Sequence, residues 1–141
     1  MKLKEIIPRR LISVTPDRTI AEAAKVMVEN NIGLVVIRDQ DHGRLRGVVS
    51  ERDIIRSIAG GAGASGSIEG ISTREIVTVR WDSEVSEAAK AMNKHRIRHV
   101  VIVDDADIPI GVISMRDLVG ERSTLNAILE SNDKEVFVGG D

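Results

Sequence analysis

Cysteine is missing from this 141-residue chain. That excludes a disulfide framework, a thiol nucleophile and a thiolate metal site. Aromatic side chains are almost missing too, with Trp81 and Phe137 the only two. The stacking platforms on which single-strand nucleic-acid binders depend are therefore not available. No apolar run approaches membrane-spanning length, and Met1-Lys2-Leu3-Lys4-Glu5 opens no signal-peptide apolar region. A cytoplasmic protein without membrane association is the expectation. The net charge of −2 offers no global attraction to nucleic acid, and only a local patch around Lys94, Arg96 and Arg98 runs against that balance.

Catalytic constellations are equally absent. His42, His95 and His99 are the only histidines, and no Ser-His-Asp, Cys-His or metal-spaced set accompanies them. His95 and His99 are four apart, but His99 is expected to begin a strand, so helical metal-ligand geometry fails. The stretch 59–70 holds five glycines and no lysine, which makes it a flexible linker rather than a phosphate-cradling loop. Asp104-Asp105-Ala106-Asp107 lacks the glycine and distal glutamate of a calcium loop and reads as a hairpin turn. No enzyme, no metal and no catalytic cofactor is expected.

What is present is an ordinary globular composition, 42% apolar and 30% charged, long enough for one domain or two very small ones. The dominant feature is self-similarity. Shifted by 65 positions, residues 6–39 fall on 71–104, with fourteen of 34 pairs identical. Beyond the next loop the offset becomes 64, and residues 47–55 match 111–119 at five of nine positions. The chain is a tandem duplication.

Each copy reads β-α-β-β-α. A short apolar segment (11–14, 76–79) predicts a strand. In repeat one Thr19 and Glu22 then form a capping box, and Ile20, Ala23, Ala24, Met27 and Val28 recur at helical spacing as a buried face. Val85, Ala88, Ala89 and Met92 repeat that face. The continuous runs 34–37 and 100–103 predict strands covered on both sides. A polar turn leads to a short strand (47–49, 111–113), and Ser-x-x-Asp opens a second helix. The predicted layout is repeat one at 1–58, the glycine-rich linker at 59–70, repeat two at 71–119, and a C-terminal helix and tail at 120–141. In that last segment Ser123 precedes the stripe Leu125, Ile128 and Leu129.

Ser50-Glu51-Arg52-Asp53 and Ser114-Met115-Arg116-Asp117 admit two physical readings. A hydroxyl and a carboxylate three residues apart cap a helix. They also suit a nucleotide, with free N–H groups and the helix dipole facing a phosphate and the carboxylate accepting from ribose hydroxyls.

The ordered set Val79-x-x-Asp82, Arg98-His99-Val100-Val101-Ile102-Val103-Asp104 and Gly111-Val112-Ile113-Ser114-Met115-Arg116-Asp117, with its upstream copy, resembles the cystathionine β-synthase (CBS) domain family. The resemblance covers residues 6–119 and is to a free-standing tandem pair, the Bateman module. It implies an α/β (α+β) fold of two repeats related by a pseudo-twofold axis, with two clefts between them for an adenosine-containing ligand. It also implies a disc-like homodimer. Carried over position by position, it assigns phosphate contact to Ser114 and Ser50 and ribose contact to Asp117 and Asp53. It places the phosphate-facing cations at Arg98 and His99, and base contacts at Thr73, Ile76 and Val77, with Pro8, Leu11 and Ile12 as their repeat-one equivalents. Arg116 and Arg52 sit within the two motifs.

The copies are not equivalent: Gly33 and Leu34 stand where repeat two has Arg98 and His99. Repeat two thus offers Arg98, His99 and Arg116 near one phosphate position, and repeat one offers Arg52. The expected function is a regulatory module that senses AMP, ADP or ATP and passes a conformational change to a separate effector protein. The alternative is a structural dimerisation module without a physiological ligand. The second helices, with Ile54/Ile55 and Leu118/Val119, are expected to expose apolar faces to a second copy.

Overall fold

The structure, a computed structural model, describes residues 1–7, 11–41 and 43–119. Pro8, His42 and the expected C-terminal helix and tail, with Ser123, Leu125, Ile128, Leu129 and Phe137, lie outside the described residues, as does the side chain of Val119.

The first repeat runs β1 (Ser13–Val14), α1 (Ile20–Asn30), β2 (Leu34–Arg38), β3 (Leu45–Ser50) and α2 (Glu51–Ala59). The second runs β4 (Thr78–Arg80), α3 (Val85–His95), β5 (His99–Val103), β6 (Pro109–Ser114) and α4 (Met115–Val119). Each forms a three-stranded sheet, with the first strand parallel to the second across the helix and the second antiparallel to the third. The predicted β-α-β-β-α order is borne out in both copies.

Local chemistry explains the first helices. The Thr19 hydroxyl accepts from the Glu22 N–H at 3.1 Å, and the Glu22 carboxylate accepts from the Thr19 N–H at 3.3 Å. Asn31 and Arg96 end α1 and α3 in the left-handed region, at φ 52° and 53°. Ile20, Ala23 and Met27 are buried, and Val85, Ala88 and Met92 match them. Val28 does not belong to this face, being 80% exposed. At about 100° per residue it sits on the flank of the 20/23/27 stripe, where repeat two carries the polar Asn93.

The apolar runs alternate between two cores, which is why they are continuous. Val35 and Ile37 pack under the repeat-one helices, and Val100 and Ile102 under those of repeat two. Val36, Val48, Val101 and Val103 form a third cluster, drawn from both repeats, with Leu11, Leu34, Ile76 and Val112 against it. The expected exposure of the second helices is corrected in part. Ile54 is core to repeat one and Leu118 is fully buried in repeat two, because each is the residue of its helix that turns back onto its own sheet. Ile55 and Ile58 remain 65% and 58% exposed.

The repeats exchange their lead segments. A 3-10 turn at Leu3–Glu5 precedes repeat one, yet Leu3 is fully buried among Val85, Ala88 and Met92 of repeat two. Its N–H donates to the Ser83 carbonyl at 2.8 Å. The stretch 59–70 runs into a matching 3-10 turn, Ile68–Ile71, and Ile68 is fully buried in the repeat-one core. Its N–H donates to the Arg18 carbonyl at 3.0 Å. Leu3 and Ile68 are 65 positions apart, the offset of the duplication.

Candidate functional site

Both Ser-x-x-Asp motifs stand at the junction of a strand and a helix. The Asp53 N–H donates to Ser50 Oγ at 3.2 Å, and Asp53 Oδ2 accepts from the Ser50 N–H at 2.9 Å. In repeat two the same pair of bonds measures 3.2 and 2.8 Å, and Ser114 Oγ–H also donates to Asp117 Oδ2 at 3.0 Å. The capping reading is therefore realised in both copies. It does not exhaust the carboxylates: each cap uses Oδ2, and Oδ1 takes no hydrogen bond among the described residues.

The sheets carry the remaining motif residues to these helix starts. His99 is the register partner of Ser114, and Leu34 that of Ser50. One residue upstream, the Arg98 carbonyl accepts from the Met115 N–H at 2.8 Å, as the Gly33 carbonyl does from the Glu51 N–H at 2.9 Å. Arg98, His99, Ser114 and Asp117 are thus gathered at one end of the repeat-two sheet. Arg98, Arg116 and Asp117 are exposed there, and Arg52 is exposed on α2.

The residues expected to contact a base divide. Thr73 exchanges two backbone hydrogen bonds with Val48, at 2.9 and 3.0 Å, so it runs along β3 of repeat one, two residues from Ser50. Leu11 and Ile76 line the cluster between the repeats. Ile12 and Val77 turn into the cores of their own repeats.

The two motif ends meet between repeats. A Cβ on Gly33 would lie 3.3 Å from His99 Cε1 and 2.5 Å from Glu51 Oε1. Burial pushes the His99 imidazole below its ordinary pKa, and the Arg98 charge adds to that, while Glu51 and Asp117 oppose it. Burial thus favours the neutral form of His99 in this structure. Glu51 was not singled out from the sequence. The signal was there, since it stands in the motif where repeat two has Met115. Among the described residues no cluster of three His, Cys, Asp or Glu is placed to hold a metal. Two cavities among the described residues, of about 270 and 680 Å³, include no residue of either Ser-x-x-Asp motif.

Comparison with known proteins agrees with this architecture. The family model for the CBS domain matches residues 3–60 and 68–123. An uncharacterized 17.7 kDa protein of Acidianus ambivalens is 34% identical over 117 residues, 83% of this chain and 70% of its own length. An L-aspartate semialdehyde sulfurtransferase of Methanocaldococcus jannaschii is 32% identical over 116 residues, but the match spans only 22% of that longer protein. Among solved structures, a CBS domain protein from Pyrobaculum aerophilum complexed with AMP superposes with a TM-score of 0.84 at 35% identity. It covers 92% of this chain and 99% of its own. The CBS domain pair of the protein MJ0100, complexed with 5′-methylthioadenosine and S-adenosyl-L-methionine, gives 0.77 at 28% identity, covering 94% of this chain and 98% of its own.

Proposed function

Since the chain belongs to the CBS domain family as a tandem pair, we propose that it is a regulatory module that binds an adenosine-containing nucleotide in the clefts between its repeats. The observation that carries this reading is the unfilled carboxylate oxygen at each capped helix start, Asp53 Oδ1 and Asp117 Oδ1. Ribose hydroxyls donate to such an oxygen, and of the first-turn N–H groups those of Arg52 and Arg116, which the cap and the sheet leave unused, donate to a phosphate. The ligands of the Pyrobaculum protein and the MJ0100 pair, AMP and S-adenosyl-L-methionine among them, share the adenosine that this arrangement recognises. The bound state draws the repeats together across the cluster of Val36, Val48, Val101 and Val103, and a separate effector protein reads that change. No step of catalysis is assigned to the chain.

Calorimetric titration with AMP, ADP, ATP and S-adenosyl-L-methionine tests the reading. Saturable heat with any of them, lost in an Asp53→Ala/Asp117→Ala variant that still folds, supports it. Ile55 and Ile58, exposed one turn apart on α2, favour a second reading, a homodimerising structural module. No heat and no shift in Tm with any nucleotide, together with a dimer in sedimentation at micromolar concentration, selects the second reading over the first.

A further inference from the structure

At the end of β3 remote from Ser50, a cavity of about 270 Å³ opens beside the repeat-one sheet. Its wall includes Pro16, Arg44, Arg46, Glu69, Ser72 and Arg74. Arg46 is held by Asp39 at 3.5 Å and Glu69 at 3.7 Å. Arg44 and Arg74 are exposed and make no ion pair or side-chain hydrogen bond among the described residues. The Ser72 hydroxyl donates to the Glu69 carbonyl at 2.9 Å, so it is already engaged. Three arginines against one glutamate give the lining a charge of +2, in a chain whose net charge is −2.

The duplication supplies an internal control. At the equivalent positions of repeat two, Trp81 replaces Pro16, Ile108 replaces Arg44, Ile110 replaces Arg46, Ile7 replaces Ser72 and Lys4 replaces Glu69, while Arg9 matches Arg74. Trp81, Ile7 and Ile110 pack against the repeat-two core, with the Lys4 ammonium 5.2 Å from the Trp81 ring centre. What separates the copies at this place is Ile108 and Ile110 in one and Arg44 and Arg46 in the other. Packing accounts for Trp81, Ile7 and Ile110 but not for Arg44, exposed and unpaired among the described residues.

Size and charge select the occupant. A volume of 270 Å³ falls below the roughly 300–1,000 Å³ of sites that enclose whole ligands. It corresponds to about nine waters at ~30 Å³ each, room for a phosphate group. A phosphate dianion matches the lining charge, and a pair of its terminal oxygens matches the guanidinium fork. We propose that this cavity binds a phosphate group, free or as a small monoester, at a site separate from the Ser-x-x-Asp clefts. Along β3, at ~3.3 Å per residue, Leu45 and Ser50 are about 16 Å apart, so one mononucleotide phosphate does not serve both places.

The test is amide NMR of the full chain titrated with inorganic phosphate and, separately, with glycerol phosphate, each against chloride at matched ionic strength. Saturable shifts at Arg44, Arg46, Ser72 and Arg74, weakened tenfold or more in Arg44→Ala/Arg74→Ala, are expected. Tighter binding of one probe assigns the source as free phosphate or a monoester. The same double variant keeps its Tm and its AMP response at Ser114 and Asp117, which separates this site from the nucleotide clefts. Shifts reproduced by chloride, shifts confined to Ser50, Arg98 and Ser114, or shifts unchanged in the double variant overturn the proposal.

Discussion

Gly33 of repeat one packs against the His99 imidazole of repeat two, so closely that a Cβ there would stand 3.3 Å from His99 Cε1. The pseudo-twofold relation brings the start of β2 and the start of β5 to one place, and two large side chains do not both fit. The duplication has Gly33-Leu34 on one side and Arg98-His99 on the other, and this shared space is the reason the copies diverge there.

Gly33→Ala is expected to destabilise the fold by about 1–3 kcal/mol, the usual cost of overpacking. The Glu51 carboxylate, 2.5 Å from the added Cβ, is the end of a flexible side chain and swings away. The His99 contact is an imidazole carbon at 3.3 Å, half-buried, which must give by a few tenths of an ångström. A double-mutant cycle with His99→Ala, read by chemical denaturation, should recover most of the loss. Strict additivity of the two substitutions refutes the contact.

His99 also makes stability pH-dependent. Its folded pKa lies below the ordinary 6.5, chiefly through burial. The unfolded chain therefore binds a proton that the folded chain refuses. The stabilisation is complete above pH 6.5 and is lost as pH falls from there toward the folded value. Wild-type stability should fall more steeply between pH 7 and 5.5 than that of His99→Leu, which carries the repeat-one residue. Parallel curves for the two proteins would remove His99 as the cause.

Asp117 serves two roles through two oxygens. Asp117→Ala should cost about 0.5–2 kcal/mol of stability by breaking the cap. It should also weaken nucleotide binding by roughly ten- to a hundred-fold, the size of a lost charge-assisted bond. A melting curve beside a calorimetric titration reads both. Lowered stability with unchanged affinity among folded molecules leaves Asp117 as a cap alone.

The two clefts should fill in order. Arg98 and Arg116 face the repeat-two motif, and Arg52 stands alone among the matched positions of repeat one, with Glu51 adding a negative charge near the junction. AMP at limiting concentration should occupy the Asp117 cleft first, while adenosine discriminates little. Arg98→Ala should narrow the gap by about ten-fold or more, and high salt should narrow it further. Filling of the Asp53 cleft first in a two-site titration reverses the assignment.

The exchanged lead segments predict coupled stability. Leu3→Ala and Ile68→Ala each remove a fully buried side chain and should cost about 2–5 kcal/mol. Each effect is expected on the opposite repeat from the sequence neighbour. Hydrogen exchange after Leu3→Ala should accelerate α3 before α1, and after Ile68→Ala α1 before α3. Acceleration of the adjacent helix first contradicts the exchange.

The residues themselves determined the duplication, the β-α-β-β-α unit, the capped helix starts and the two-sided burial of the central strands. Each of these is written in spacing within one element or in the offset between copies, and local geometry turns such spacing directly into structure. Val28 shows the limit, since a stripe read from five residues included one on its flank. The tertiary structure alone decided which core Leu3 and Ile68 enter, how Gly33, Glu51 and His99 share one space, and that Arg44 and Arg46 wall one cavity with Pro16 and Arg74, both distant from them in sequence. Those are contacts between segments whose spacing along the chain carries no record of the other. Their identity depends on how two nearly identical repeats dock, which is settled by shape and charge once both are folded.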